Sequence, residues 1–287
     1  MKIYLDGRLL DAEEARIPVT DRGVLFGDGL FETIRAYRGK PFRLDRHLRR
    51  LREGCRVLRI SGIPGDDEIA EAISALYQEN VGSGDAYVRL TVTGGDFDGS
   101  RTLTRSAGPR FFIIVKPFEG YPLEFYRRGI RVTVSSVRRN SHSPLWRIKT
   151  NNYLESLYAK QEASDRGYDD ALFLNTEGYL AEGSTSNLFL VSGGKVMTPH
   201  PDCGILPGIT RETVLELCSS LGIGYEEGFY RLEDLRGAGE IFLTMTTGEI
   251  IPVAEVDGSR PGEACPGPFT SRLHEAYRRL VEEELSP

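Results

Sequence analysis

Apolar and polar residues alternate along the opening stretch MKIYLDGRLL, and the alternation turns back at Asp6-Gly7, which predicts a β-hairpin. A second hairpin is predicted in LFETIRAYRGKPFRL, turned at Arg38-Gly39. The period then changes. In RLDRHLRRLREGCRVLRI, Leu44, Leu48, Leu51, Cys55 and Leu58 recur at helical spacing with arginines on the other face. A further helix, DDEIAEAISALYQEN, precedes two strand-like stretches, AYVRLTVTGG and RFFIIVKPF. In KPFEGYPLEF, two prolines and a glycine separate apolar runs, which predicts an interdomain linker at 117–125 between domains at 1–116 and 126–287.

Beyond the linker, IRVTVSSV alternates as a strand. A helix is predicted from Asn152 to Arg166, stopped by Gly167, with Leu154, Leu157, Tyr158 and Gln161 on one face. Asn152, with Glu155 three residues on, has the pattern of a capping box. Lys149 thereby falls in the turn entering that helix, where a side chain can point into a cleft. DALFLNTEGYLAE predicts a hairpin turned at Glu177-Gly178, and SNLFLVSGGKVMTP a second. GITRETVLELCSSLG reads as a helix entered through a Pro-Gly turn. EIFLTMTTGEIIPV is a strand, a turn and a strand, and a charged amphipathic helix lies near the C-terminus.

Composition narrows the class. A chain of 287 residues is long for one core, so two domains are expected. The net charge of −6 and pI near 5.5 argue against nucleic acid or acidic membranes as partners. No apolar run is long enough to span a bilayer, and the alternating N-terminus is no signal peptide. Cys55, Cys203, Cys218 and Cys265 are scattered without CxxC spacing, and the four histidines are dispersed. Neither a disulfide framework nor a metal site is suggested, so a cytoplasmic setting is expected.

The candidate chemistry lies in the second half. A phosphate-bearing cofactor with a reactive aldehyde requires a lysine for a Schiff base, an acid partner for a ring nitrogen, and an anion site. Lys149 can supply the first. Glu182, in LAEGSTSNLF, ends an apolar strand before a small-residue turn, where a buried carboxylate needs a positive partner. In LPGITRETV a glycine opens a helix, so the free N–H groups of Ile209 and Thr210 can meet a phosphate, with the Thr210 hydroxyl adding a donor. TMTTGE offers the hydroxyls of Thr246 and Thr247 beside Gly248, which permits close backbone approach. Taken singly, each has an ordinary structural meaning: a solvated charge, a capped helix, a strand turn.

In order along the chain, Lys149, AEGSTSNLF, LPGITRE and TMTTGEIIPV resemble the class IV pyridoxal-phosphate aminotransferases. That family includes branched-chain aminotransferases, D-amino-acid aminotransferases and 4-amino-4-deoxychorismate lyases. TDRGVLFGDGLFETIR and RLDRHLRRL resemble its N-terminal elements, so the likeness covers nearly the whole chain. It implies a mixed α/β, two-domain fold type IV enzyme, with a smaller N-terminal α/β domain and a larger C-terminal domain built on a β-barrel-like core. It also implies pyridoxal 5′-phosphate as cofactor and a homodimer. Lys149 matches the Schiff-base lysine that moves the proton at the substrate Cα. Glu182 matches the carboxylate on the pyridine nitrogen, Tyr153 the partner of the phenolic oxygen, and Arg46, Ile209, Thr210 and Thr246 the phosphate cup.

For the substrate, the resemblance to branched-chain aminotransferases implies Tyr87 and Arg89 in AYVRL near the substrate. Phe26 and Phe31 would form an aromatic side-chain pocket, and the Thr247 and Gly248 N–H groups would bind the carboxylate. Amino acids with apolar side chains and 2-oxo acids are then the expected small-molecule partners. Thr33 departs from that pattern, because it stands where the lyases carry a functional threonine. A pyruvate-releasing lyase is therefore a second expectation. The D-amino-acid enzymes carry an Arg-x-His trap, where this chain has Arg101 and Arg105 without histidine. A non-standard arginine trap there stays open as an alternative, and in the expected homodimer Arg101 or Arg105 is able to reach across to the partner's pocket. Outside the enzyme class stands an arginine-rich binding module at residues 43–59, disfavoured by the net charge.

Overall fold

The computed structural model describes residues 1–285, and the chain divides into two compact units. One comprises Met1–Glu119 together with Ile148–Asn152; the other comprises Gly120–Arg147 and the chain from Tyr153 onward.

The first unit runs β1 (Lys2–Leu5), β2 (Arg8–Asp11), α1 (Arg22–Phe26), β3 (Gly29–Tyr37), β4 (Lys40–Pro41), α2 (Leu44–Val57), α3 (Asp66–Asn80), β5 (Ala86–Thr93) and β6 (Arg110–Pro117). The strands form one antiparallel sheet in the order β2-β1-β6-β5-β3-β4. Both predicted hairpins turn where expected. Asp6 and Gly7 have φ of 47° and 84°, and Arg38 and Gly39 have 50° and 85°, the paired positive angles that match the twist of two-residue hairpins. On one sheet face Ile34, Val88, Leu90, Ile113 and Val115 are fully buried beneath Leu48, Leu51 and Cys55 of α2 and Ile69, Ile73 and Leu76 of α3. The other face aligns Thr33 opposite Arg89, Phe31 opposite Thr91 and Arg35 opposite Tyr87.

The segment Ile148–Asn152 adds to the edge of this sheet. Phe31 N–H donates to the Lys149 carbonyl at 2.9 Å, and Asn151 N–H donates to the Gly29 carbonyl at 2.9 Å. The Asn152 side chain donates to the Gly27 carbonyl at 3.3 Å, so it does not cap the following helix. The capping box is thus not formed: that helix spans Leu154–Asp165 with Tyr153 at the N-cap and no side-chain cap.

The second unit runs α4 (Leu123–Arg128), β7 (Ile130–Arg139), α5 (Leu154–Asp165), β8 (Asp170–Asn175), β9 (Leu180–Gly183), β10 (Asn187–Ser192), β11 (Lys195–Pro199), α6 (Ile209–Ser220), β12 (Tyr225–Gly228), α7 (Leu232–Arg236), β13 (Glu240–Met245), β14 (Glu249–Val256) and α8 (Pro268–Leu285). Its eight strands follow the order β12-β11-β10-β13-β14-β7-β8-β9, and β9 pairs again with β10. That extra pairing closes β10, β13, β14, β7, β8 and β9 into a barrel-like ring, with β11 and β12 as an extension. Ile130, Val132, Leu172, Leu188, Leu243 and Ile251 belong to its apolar cluster. A second cluster holds Ala159 and Ala163 of α5 with Ala171, Phe173 and Ala181. The buried face of α5 is therefore Ser156, Ala159 and Ala163. The leucine face expected from spacing is instead turned out, with Leu154 78%, Leu157 61% and Tyr158 61% exposed. Among the described residues no helix is long and apolar enough to cross a membrane.

Candidate active site

In the first unit Phe31, Thr33, Tyr87 and Arg89 share the sheet face opposite α2 and α3. The Phe31 ring carries two cations: the Lys149 ammonium lies 4.5 Å and the Arg89 guanidinium 4.0 Å from its centroid. Thr33 is half-buried beside Arg89 on that face, and Tyr87, two residues before Arg89, has Lys116 over its ring at 5.1 Å. Phe31 is 4% exposed and supports the lysine as much as it lines a surface. Phe26 sits at the end of α1, 46% exposed, edge-on to Phe97 at 5.3 Å. Arg46 lies half-buried in the first turn of α2.

On the opposite face lies a buried charge cluster that periodicity alone did not reveal. Glu32 is wholly buried and accepts from Arg50 Nε at 2.7 Å and Nη2 at 2.8 Å, and it meets His47 Nδ1 at 2.7 Å. Burial pushes the Glu32 carboxyl up, but the Arg50 charge and the bonds from Arg50 and His47 outweigh it and leave it at about 2. Burial pulls His47 below its ordinary value, against the pull of Glu32, with Arg50 and Lys149 adding to the depression. A signal was present: Glu32 sits on the same alternation as Leu30, Ile34 and Ala36, so a charge stood in an apolar row.

Arg105 is tied to the chain around it. Its terminal nitrogens bond the carbonyls of Leu58 and Arg59 and both carboxylate oxygens of Asp28. Arg22 Nε holds Asp28 from a second side at 2.7 Å, and its terminal nitrogens bond the carbonyls of Ser100 and Thr102. Arg101 is exposed.

In the second unit the site grows from the seam of the barrel. The β9–β10 pairing joins Glu182 to Asn187, so the candidate carboxylate lies at the closing contact itself. Glu182 is 7% exposed. Its Oε2 accepts from Leu206 N–H at 3.1 Å and from the Asn187 amide at 3.4 Å, and its Oε1 lies 3.6 Å from Arg139 Nη2. Arg139 is itself clamped between the rings of Trp146 and Phe173, each 3.9 Å away, and bonds Glu155 and Ser156. This arginine supplies the positive partner that a buried glutamate requires.

Asn187 also donates to the Leu206 carbonyl at 2.8 Å and lies so close to Gly208 that a Cβ there would collide with it. Gly208 is the N-cap of α6, with no side-chain cap, so the first N–H groups, Ile209 and Thr210, are left to other acceptors. Asn187 therefore links the carboxylate to the open helix start. Nearby hydroxyls are buried without partners: Ser186 Oγ, next to Asn187, and Thr244 Oγ1, directly opposite it in the sheet. The N–H donors at the start of α6 and the accepting carboxylate of Glu182 fit a ligand with an anionic group at one end and a cationic ring N–H at the other, as in a pyridoxal phosphate.

The three-residue loop Thr246–Gly248 joins β13 to β14 in the same unit, with Met245 paired to Glu249. Tyr121 OH lies 3.4 Å from Thr247 Oγ1, and Tyr126 OH donates to the Gly248 carbonyl at 3.3 Å. Tyr153 is half-buried at the start of α5. Among the described residues no group of three His, Cys, Asp or Glu side chains could hold a metal ion.

A sheet-and-helix unit followed by a closed mixed barrel with a carboxylate at its seam is the architecture of fold type IV enzymes. Comparison with known proteins agrees. The model of the amino-transferase class IV family matches residues 29–256. A Methanocaldococcus jannaschii protein, named provisionally as a branched-chain-amino-acid aminotransferase, is 37% identical over 98% of this chain and 96% of its own. The aminodeoxychorismate lyase of Bacillus subtilis is 34% identical over 98% of this chain and 94% of its own. The crystal structure of the branched-chain aminotransferase from the archaeon Thermoproteus uzoniensis with norvaline superposes with a TM-score of 0.91 at 36% identity, covering 100% of this chain and 96% of that one. A further branched-chain amino acid aminotransferase, solved with pyridoxamine 5′-phosphate, superposes with a TM-score of 0.91 at 31% identity, covering 98% of this chain and 93% of that one. The chain belongs to the class IV aminotransferase family. It is an enzyme of the pyridoxal-phosphate-dependent kind that passes an amino group between an amino acid and a 2-oxo acid.

Proposed function

We propose that this enzyme binds pyridoxal 5′-phosphate through Lys149 and transfers the amino group of an amino acid with an apolar, branched-chain type of side chain. The observation that carries this reading is the Arg139–Glu182–Asn187 chain, which ends at the open start of α6. When bound, the cofactor supplies an electron sink for the charge developed at the substrate Cα.

Glu182, kept beside Arg139, holds the proton on the ring nitrogen. The Ile209 and Thr210 N–H groups, with the Thr210 and Thr246 hydroxyls and Arg46, hold the phosphate oxygens. Tyr153 orients the phenolic oxygen by a hydrogen bond. Lys149 Nζ takes the Cα proton and returns it. The N–H groups of Thr247 and Gly248 bind the substrate carboxylate, and Phe26, Phe31, Thr33, Tyr87 and Arg89 form the side-chain pocket.

A second reading is a pyruvate-releasing lyase. It is favoured by the half-buried position of Thr33 opposite Arg89 and by the lyase among the relatives. A D-amino-acid enzyme using Arg105 as its trap is disfavoured, because that guanidinium is tied to Asp28.

The exposed Leu154, Leu157 and Tyr158 on α5 support a homodimer, since an apolar stripe of this kind is commonly covered. Four free cysteines fit a cytoplasmic setting. Borohydride reduction of the cofactor-loaded protein followed by peptide mapping tests the core of the proposal. The label is expected on Lys149, and a label on another lysine refutes it. Rates with L-leucine, D-alanine and aminodeoxychorismate then separate the three substrate readings.

A further inference from the structure

The residue that follows the Thr246–Gly248 loop is in an unusual position. Glu249 has φ of 58°, in the left-handed region where glycine is the easy choice, and it is 1% exposed. A glutamate here carries both a backbone and a burial penalty, so its side chain must return something a glycine could not. The carboxylate is directed at α8: its Oε2 meets His274 Nε2 at 2.8 Å and accepts from Arg278 Nε at 3.0 Å. The His274 ring stacks on Tyr126, with centroids 5.2 Å apart and planes at 14°, and the Tyr126 hydroxyl donates to the Gly248 carbonyl. The peptide between Gly248 and Glu249 is thus gripped from both sides, and the two grips meet at the His274–Tyr126 stack.

We propose that Glu249 and His274 are positioning residues for substrate recognition. Through them, α8 holds the Thr246–Gly248 loop in the one conformation whose Thr247 and Gly248 N–H groups receive a carboxylate. The inference rests on the carboxylate-binding reading of those two N–H groups. It assigns the C-terminal helix a part in specificity for acids over neutral analogues. Fixing the Gly248 carbonyl and the left-handed turn at Glu249 sets the planes of the preceding peptides, and hydrogen bonds to an anion weaken steeply once donors tilt away.

The test uses the cofactor-loaded enzyme and two probes of one shape, 4-methylpentanoate and 4-methylpentanamide, with binding followed by calorimetry. The wild type is expected to prefer the acid by at least tenfold. Glu249→Gly relieves the backbone but removes the tether, and His274→Ala removes the donor. Each is expected to weaken the acid about tenfold and leave the amide within twofold. His274→Gln, whose amide can still donate to Glu249, is expected to keep the preference within threefold. Thermal melts and cofactor absorbance report that each variant is folded, and the His274 pair suffices if Glu249→Gly is not. Acid binding unchanged in Glu249→Gly or His274→Ala, or acid and amide weakened together, overturns the proposal. A wild type that does not distinguish the probes overturns the carboxylate-binding reading beneath it, before any variant is considered.

Discussion

Glu182→Gln is the sharpest perturbation of the proposed chemistry, because the structure fixes what the amide must do. The Oε2 side faces two donors, the Leu206 N–H and the Asn187 amide, so the glutamine carbonyl belongs there and its NH2 must turn toward Arg139. Arg139 keeps Glu155, Ser156 and its two rings, so it is not left as an unpaired buried charge. The stability cost should therefore stay near ~1–2 kcal/mol, below the roughly 3–5 kcal/mol of a fully broken buried pair. The catalytic cost should be larger. A neutral amide cannot hold a proton on the ring nitrogen, and a fall in rate of about a hundredfold corresponds to about 2.7 kcal/mol of barrier. Stopped-flow absorbance of the single-turnover half-reaction measures that rate, and urea unfolding of the same sample measures stability. A half-reaction within threefold of wild type, with cofactor still bound, would refute the assigned role of Glu182.

The Glu32 cluster makes a pH prediction. The folded carboxyl lies at about 2 against an ordinary 4.5, so its contribution is complete above pH 4.5 and is lost as pH falls toward 2. His47, lowered in the fold, acts in the same sense from pH 6.5 downward, because the unfolded chain takes up the proton first. Urea midpoints across pH 7 to 3 should fall, with a shallower fall in Glu32→Gln; parallel curves would contradict the assignment. Thr33→Gly should leave leucine transfer within a few fold if that threonine only packs beside Arg89. If it instead abolishes pyruvate release from aminodeoxychorismate in an enzyme that barely transfers leucine, the lyase reading replaces the first. Leu157→Asp, on the exposed stripe of α5, should shift sedimentation from dimer to monomer with little change in the melt; an unaltered dimer would move the interface elsewhere.

Much of the chain was legible where local chemistry decides the outcome. Asp6-Gly7 and Arg38-Gly39 announce their turns because few residue pairs tolerate two positive φ angles. The leucine row of α2 shows in the sequence because one wide apolar face packs on one sheet. On α5 the same rule misled, since alanines and a serine, not leucines, let the helix approach the barrel closely. The capping box failed because Asn152 is bonded to the Gly27 carbonyl. Lys149, Glu182 and the start of α6 were visible as pieces. Their partners were not, because the pairs Glu32–Arg50, Arg139–Glu182 and Glu249–His274 are separated by 18, 43 and 25 residues. Only folding brings such charges together, and a sequence period carries no trace of it beyond an ill-placed charge such as Glu32.

The barrel seam also bears on motion. Five of the six joins in the ring are made by ladders of more than one residue pair, whereas β9 meets β10 through the single pair Glu182–Asn187. A ring opens where it is sewn most thinly, so within the ring local unfolding should start there, and among the ring's strand joins amide hydrogen exchange should be fastest at the β9–β10 turn, Thr185–Ser186. A ligand that grips Glu182 on one side of the seam and the start of α6 on the other would act as a stitch. Its binding energy would then appear as slowed exchange along β9 and β10, rising with ligand concentration by mass action. The residues that do the chemistry would in that way also govern how long the barrel stays shut.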